Sequence, residues 1–359
     1  MGLDFDHWVF NSIKEIEEAY VPHKYWEYAY DKTLAHILTC PPGEVVLITG
    51  PSSVGKSKIL DLIFEKIKEA NKSDEIKRPV VKVVATNRGE AGTFSNRSII
   101  EKTLDELDHP IYGMKSKGTS YEEIKATLKS DSVSGIKLER ALERYIELVD
   151  LKYFGLDEAQ HLIYIKGGRK GARLMLEKFK GMAVDRGFVL VLVGAYPLLD
   201  VIKLCPHLIA RKHEVHFPRY RVSEEDLSTF AQILLAYSTF VKLKPNVSSL
   251  VEYIVELHQG SLGCIGLLKR WLCDGLVETA VLKKEYLDLD ILMKVLKSYE
   301  DIDEIYQEIK AGEKKIYGKK YITSLETDKG EYKTVINKII KKHKPFTSKP
   351  RRYPGGGRE

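Results

Sequence analysis

One short stretch constrains this chain more than any other feature. Gly50-Pro51-Ser52-Ser53-Val54-Gly55-Lys56-Ser57 reads Gly-x4-Gly-Lys-Ser, and its flanks fit the pattern. The apolar, β-branched run Val45-Val46-Leu47-Ile48-Thr49 enters it, and a helical run from Ile59 to Ala70 leaves it. Such a loop turns successive backbone N–H groups, and the positive end of the following helix, toward phosphate. Gly50, Pro51, Ser52, Ser53, Val54 and Gly55 are the expected cradle, with Ile59 beside them. Lys56 is expected to reach the β- and γ-phosphates, and Ser57 to hold Mg2+ through its hydroxyl. The implied ligands are ATP and Mg2+.

The rest of the chain must supply a sheet for that loop. Residues 79–85, a segment within 151–156 and residues 188–193 read as further buried strands, separated by helical patterns. Alternation of this kind predicts an α/β fold with a parallel sheet. From residue 222 the strands stop. Ser223 with Glu224, Glu225 and Asp226 marks a capped helix start. Helices are expected over 224–240, 247–259, 263–281 and 288–298. The expected layout is a helical leader (1–40), an α/β nucleotide-binding core (41–221), a small all-helical lid (222–300) and a basic extension (301–359).

An acidic pair ends the second internal strand, in Tyr153-Phe154-Gly155-Leu156-Asp157-Glu158. Beside a phosphate loop, Asp157 is suited to hold Mg2+ through water and Glu158 to polarise an attacking water. The Asp-Glu-Ala-Gln spelling is shared with helicases, but two motor domains do not fit in 359 residues. After strand 188–193 comes Gly194-Ala195-Tyr196, where Ala195 offers no polar group and only Tyr196 could sense a γ-phosphate. Arg211, beyond the last core helix, is a candidate arginine finger for a neighbouring subunit.

Charge is unevenly spread. The chain carries a net +6, yet residues 311–359 alone hold fourteen basic and five acidic side chains, leaving the remainder slightly negative. A basic appendage on a near-neutral body suits a polyanion such as nucleic acid. No apolar run reaches the 18 or so residues of a membrane helix. The start has no signal-peptide pattern, and the four cysteines, Cys40, Cys205, Cys264 and Cys273, form no Cys-x-x-Cys pair. An intracellular, DNA-associated location is expected, with no metal-ligand spacing evident beyond Ser57 and Asp157.

Taken together, GPSSVGKS, PVVKVVAT, LDEAQHL (156–162), LVLVGAYPLLDVI (190–202), HLIARKHEV (207–215) and GSLGCIGLLKRWL (260–272) give a pattern that resembles the TniB/TnsC group of AAA+ ATPases, over roughly residues 20–300. Ala195 departs from it, since that group usually has Thr there. The resemblance implies an AAA+ P-loop core and lid. It implies ATP-driven head-to-tail assembly into rings or filaments on duplex DNA, with contacts to a target-selection protein and a transposase, and slow regulatory hydrolysis. It also implies a DNA-lining role for the Gly-rich basic segment 112–120, with Lys115, Lys117 and Thr119 as contacts and Arg97 next. Lys269 and Arg270 are candidates for a second sensor. Two other readings stay open: a loader or switch of another DNA pathway, like a replication initiator, and an ATP-gated DNA-binding assembly with little hydrolysis.

Overall fold

The computed structural model describes residues 8–71, 77–85, 95–113, 134–318 and 351–352. It divides into two compact units, one holding Ala29–Gly50 and Lys56–His216, the other holding Met1–Tyr28, Pro51–Gly55 and Phe217–Glu359.

The first unit is built on a five-stranded parallel sheet of β1 (Val45–Thr49), β2 (Val80–Val84), β3 (Tyr153–Asp157), β4 (Val189–Gly194) and β5 (Lys212–His216). The spatial order is β2-β3-β4-β1-β5. Every residue of β1 and β4 is buried, as expected for central strands covered on both faces. Alternate residues of β3 show both coverings. Phe154 packs on Phe179 and Phe188, with ring centroids 5.0 and 5.9 Å away. Gly155 meets the helix Lys56–Ala70 on the other face, where an added Cβ would lie 2.9 Å from Phe64 and 3.0 Å from Leu60. A glycine there lets the helix that follows the phosphate loop approach the sheet.

The parallel α/β core expected from the sequence is present, with one addition. Strand β5 was not foreseen, because Lys212-His213-Glu214-Val215-His216 carries no apolar run. It is an edge strand in which only Val215 is buried, so its charged residues remain partly exposed while its backbone pairs with β1.

The second unit is helical. Val9 and Ile16 join Leu227, Phe230, Leu234, Leu257, Leu268 and Leu292 in one core. Ser223 caps the helix Glu224–Ser238 as expected, its Oγ accepting from the Asp226 N–H at 3.2 Å. The sequence reading ended the helices at 298, but a further one runs over Tyr299–Tyr317. What holds it is a buried pair: Arg219 donates through Nε and Nη2 to the Glu313 carboxylate at 3.0 and 3.3 Å. Arg221 stacks over the Tyr317 ring at 4.5 Å. Removing one partner of such a pair costs about 3–5 kcal/mol, because it strands a buried charge. The backbone of Arg351–Arg352 pairs antiparallel with Ala19–Tyr20. Among the described residues no helix is long and apolar enough to cross a membrane.

Candidate nucleotide-binding site

Because all five strands are parallel, their C-terminal ends share one edge of the first unit. Gly50 follows β1, Asp157 ends β3 and Ala195 follows β4, with Thr49 in register with Gly194. Sequence separations of about a hundred residues and more therefore collapse onto neighbouring strand ends, the usual ligand position in open α/β sheets.

Lys56 begins the helix Lys56–Ala70 and is buried, with Nζ donating to the Gly50 carbonyl at 3.1 Å. The ammonium thus lies back across the loop that its own backbone leaves. Within the loop, Ser53 and Gly55 have left-handed backbone, at φ 60° and 100°. These turns redirect successive N–H groups, the geometry an anion cradle requires. Ser57 is partly exposed in the first helical turn, whereas Ile59 is fully buried in the core.

Asp157 is buried, at 4% exposure, and both of its oxygens are engaged. Oδ1 accepts from the Glu158 N–H at 2.9 Å, and Oδ2 lies 3.3 Å from Lys82 Nζ. Lys82 also donates to Asp61 Oδ1 at 2.6 Å, tying the phosphate-loop helix to the acidic strand. The hydroxyl of Ser57 and the carboxylate of Asp157 are hard oxygen donors of the kind Mg2+ takes, and an Asp157 already paired with Lys82 suits contact through water.

Glu158 departs from the strand. Its backbone is left-handed at φ 53°, a conformation that costs a non-glycine residue roughly 1–3 kcal/mol and clusters at functional sites. Its carboxylate is held by Gln160, whose Nε2 donates to Glu158 Oε2 at 2.5 Å. The same amide's Oε1 accepts from the Ala195 N–H at 3.1 Å. Gln160 therefore bridges the acidic residue to the turn after β4. A Cβ at Gly194 would lie 2.3 Å from Gln160 Oε1, so only glycine leaves room for the bridge. His161 is a support: its Nδ1 bonds the Ala85 carbonyl at 2.8 Å.

Tyr196 is buried and its hydroxyl shares a hydrogen bond with His216 Nε2 at 2.9 Å. Arg211 is exposed, and its carbonyl accepts from Val45 N–H at 3.1 Å, which places it at the opposite end of β1 from the loop. Five strand residues put about 15 Å between them, so Arg211 does not join its own chain's site. Arg97 lies on the helix Asn96–Glu106, with Nε on Glu101 Oε1 at 2.6 Å. Lys115, Lys117 and Thr119 lie outside the described residues.

In the helical unit, the segment Gly260–Trp271 explains its glycines through close approaches. A Cβ on Gly263, where φ is +71°, would lie 1.9 Å from the Tyr220 carbonyl oxygen, and one on Gly266 would lie 1.9 Å from that of Ser53. Gly266 thus lies directly against the backbone of Ser53. Lys269, a candidate second sensor, donates instead to the Glu17 carbonyl at 2.8 Å. Arg270 is exposed.

The functional reading of the sequence missed Lys82, Gln160 and Gly266. Lys82 had a visible signal, a charge in the middle of an apolar strand, where a lysine is buried only when paired. Gln160 and Gly266 had none beyond membership of the motifs, since their partners are 35 and more than 200 residues away.

Residues 42–202 match a family described as "AAA domain", and that span is an AAA-type domain. No curated protein matches the chain. Among solved structures it is similar to the ORC2 protein of Aeropyrum pernix in its ADP form, at 16% identity over 82% of this chain and 73% of that one, TM-score 0.51. It is similar also to the ORC1 protein of Aeropyrum pernix in complex with DNA, at 15% identity over 80% and 67%, TM-score 0.51. At such identities the likeness concerns the fold, and the chain spans two thirds to three quarters of those relatives' length.

Proposed function

We propose that this chain is an ATP-hydrolysing switch that assembles on duplex DNA. The observation that carries the reading is that Lys56, back-bonded to the loop, and Asp157 with a Gln160-held Glu158 stand at the same edge of the sheet, with β4 between their strands. ATP with Mg2+ would supply the bond to be broken and screen its phosphates. The loop 50–57 and Lys56 would bind the phosphates, and Ser57 and Asp157 would hold the metal, which would screen the phosphate charge. Glu158 accepts the proton of the attacking water. Gln160 orients that carboxylate from the β4 turn, standing in for the polar side chain that Ala195 lacks. Ile59 supports the helix from the core.

Arg211 points to a homo-oligomer. Lying far from its own loop, it can complete only a neighbouring copy's site, which favours a head-to-tail ring or filament. Arg97, Lys115, Lys117, Thr119 and the basic residues beyond 311 are the proposed DNA contacts, made to the backbone and therefore steeply salt-dependent.

Within this reading the finer role is regulation of transposition, linking a target-selection protein to a transposase, and it rests on the motif resemblance to the TniB/TnsC group. The second reading is a replication-initiator-like loader, favoured by likeness to origin-recognition proteins, one of them described in complex with DNA. Negative-stain microscopy of the full chain with duplex DNA and a non-hydrolysable ATP analogue tests the common part. Nucleotide-dependent rings or filaments, lost in Lys56→Ala, are expected; a monomer whatever the nucleotide would overturn it. Strand-transfer assays with the transposase encoded nearest the gene then separate the two readings. Stimulation supports the regulator, and its absence beside helicase loading supports the loader.

A further inference from the structure

At the edge of the sheet away from the phosphate loop, three side chains, one from each of three segments, converge. Cys40 follows the helix Lys24–Thr39, its N–H bonded to the His36 carbonyl at 2.8 Å. The turn Pro41–Glu44, closed by Glu44 N–H on the Pro41 carbonyl at 3.2 Å, brings Glu44 back beside it. His213 comes from β5, in register with Val46. Cys40 Sγ and Glu44 Oε2 are 4.0 Å apart, and His213 Nε2 is 2.5 Å from that same oxygen. One ligand atom from each of the three lies within 4.8 Å of the other two. The His36 and His213 ring centroids are 5.2 Å apart.

We infer that Cys40, Glu44 and His213 form a three-residue binding site for a zinc-like divalent transition metal, with the His36 ring packed beside His213 as support. A thiolate, an imidazole and a carboxylate are the donors zinc takes in tetrahedral sites. Ligands about 2.0–2.3 Å from such a metal stand about 3.3–3.8 Å apart, so the observed separations need changes of an ångström or less. The donors sit on a helix end, a tight turn and a strand, which fixes them before the metal arrives. Thiolate and carboxylate together balance the ion's double charge.

The site is separate from nucleotide chemistry, for it lies where β1 and β5 begin rather than where they end. Its role is to pin the helix Lys24–Thr39 and the edge strand to the sheet.

The test is titration of metal-stripped full-length protein with Co2+, followed by Zn2+. The expected result is one Co2+ per chain, with tetrahedral visible bands and a near-ultraviolet thiolate charge-transfer band, both removed by Zn2+. Cys40→Ser should lose the charge-transfer band, while substitutions of Cys205 or Cys273 keep it. His36→Ala, which removes the ring packed beside His213, should weaken binding about 10–100-fold, the scale on which supporting partners of metal sites act. If Cys40→Ser does not fold, His213→Gln serves, losing tight Co2+ binding. A folded wild-type chain that takes up no Co2+ and retains no zinc on dialysis would overturn the site, as would a thiolate band that survives in Cys40→Ser. In either case the chain holds only a His213–Glu44 hydrogen bond there.

Discussion

Strand β1 is five residues long, and chemistry reaches its two ends by different routes. Beyond Thr49 the chain continues directly into the phosphate loop, so ligand-binding groups are contiguous and their order is the motif. Before Val45 the cluster is assembled from Cys40 and Glu44, just ahead of the strand, and from His213, 169 residues beyond Glu44, which only the sheet brings to them. A loop that binds through its backbone must be continuous. A site that binds through side chains needs only convergence, and so leaves little trace in the order of residues.

The comparison breaks most readily at the loop end. Glu158→Gln should lower ATP turnover by roughly 10²–10⁴-fold, the range for loss of a general base, while a fluorescent ATP analogue binds unchanged. Equal turnover in wild type and variant would leave an assembly gated by ATP with no role for hydrolysis.

Acid tests a region belonging to neither end. Tyr220 donates to His23 Nδ1 at 2.8 Å, and its carbonyl accepts from His258 Nε2 at 3.0 Å. Burial lowers these histidines from 6.5 to about 3 and about 4 respectively. The unfolded chain protonates them and the native state resists, so their contribution is full above about pH 6.5 and is lost as pH falls toward those values. They are expected to cost on the order of 5 and 3 kcal/mol respectively, read as a falling urea midpoint. His258→Gln should flatten that fall.

Gln160→Ala sharpens the account of the loop end. Loss of one hydrogen bond to a charged group should lower kcat about tenfold with KM unmoved. A change in KM alone would make Gln160 a binding residue instead. The smallest expected effect is at the other end of β1: Cys40→Ser should lower the thermal midpoint yet change ATP affinity less than about twofold, since distant sites act independently. Loss of ATP binding there would show that the two ends are coupled.

Much of the fold was legible because buried parallel strands are apolar throughout, as in 45–49 and 188–193, and because Ser223 announces its helix through a local hydrogen bond. Strand β5 was not, since an edge strand needs backbone pairing more than apolar side chains. The helix Tyr299–Tyr317 was hidden because what secures it, Arg219 on Glu313, spans 94 residues. In the candidate site, the positions of Lys56, Asp157 and Glu158 at strand ends followed from type and spacing. Gln160, Lys82 and Gly266 depended on what lies across from them.

By itself, then, the sequence determined a Gly-x4-Gly-Lys-Ser loop on a buried strand, an acidic pair at the end of another and a helical region after residue 222, because each is encoded in neighbouring residues or a single periodicity. The tertiary structure alone decided that Lys82 balances Asp157, that Gln160 ties Glu158 to β4, that Arg211 faces away from its own loop and that Cys40, Glu44 and His213 meet. Those are contacts between segments far apart in the chain, fixed by strand order and register.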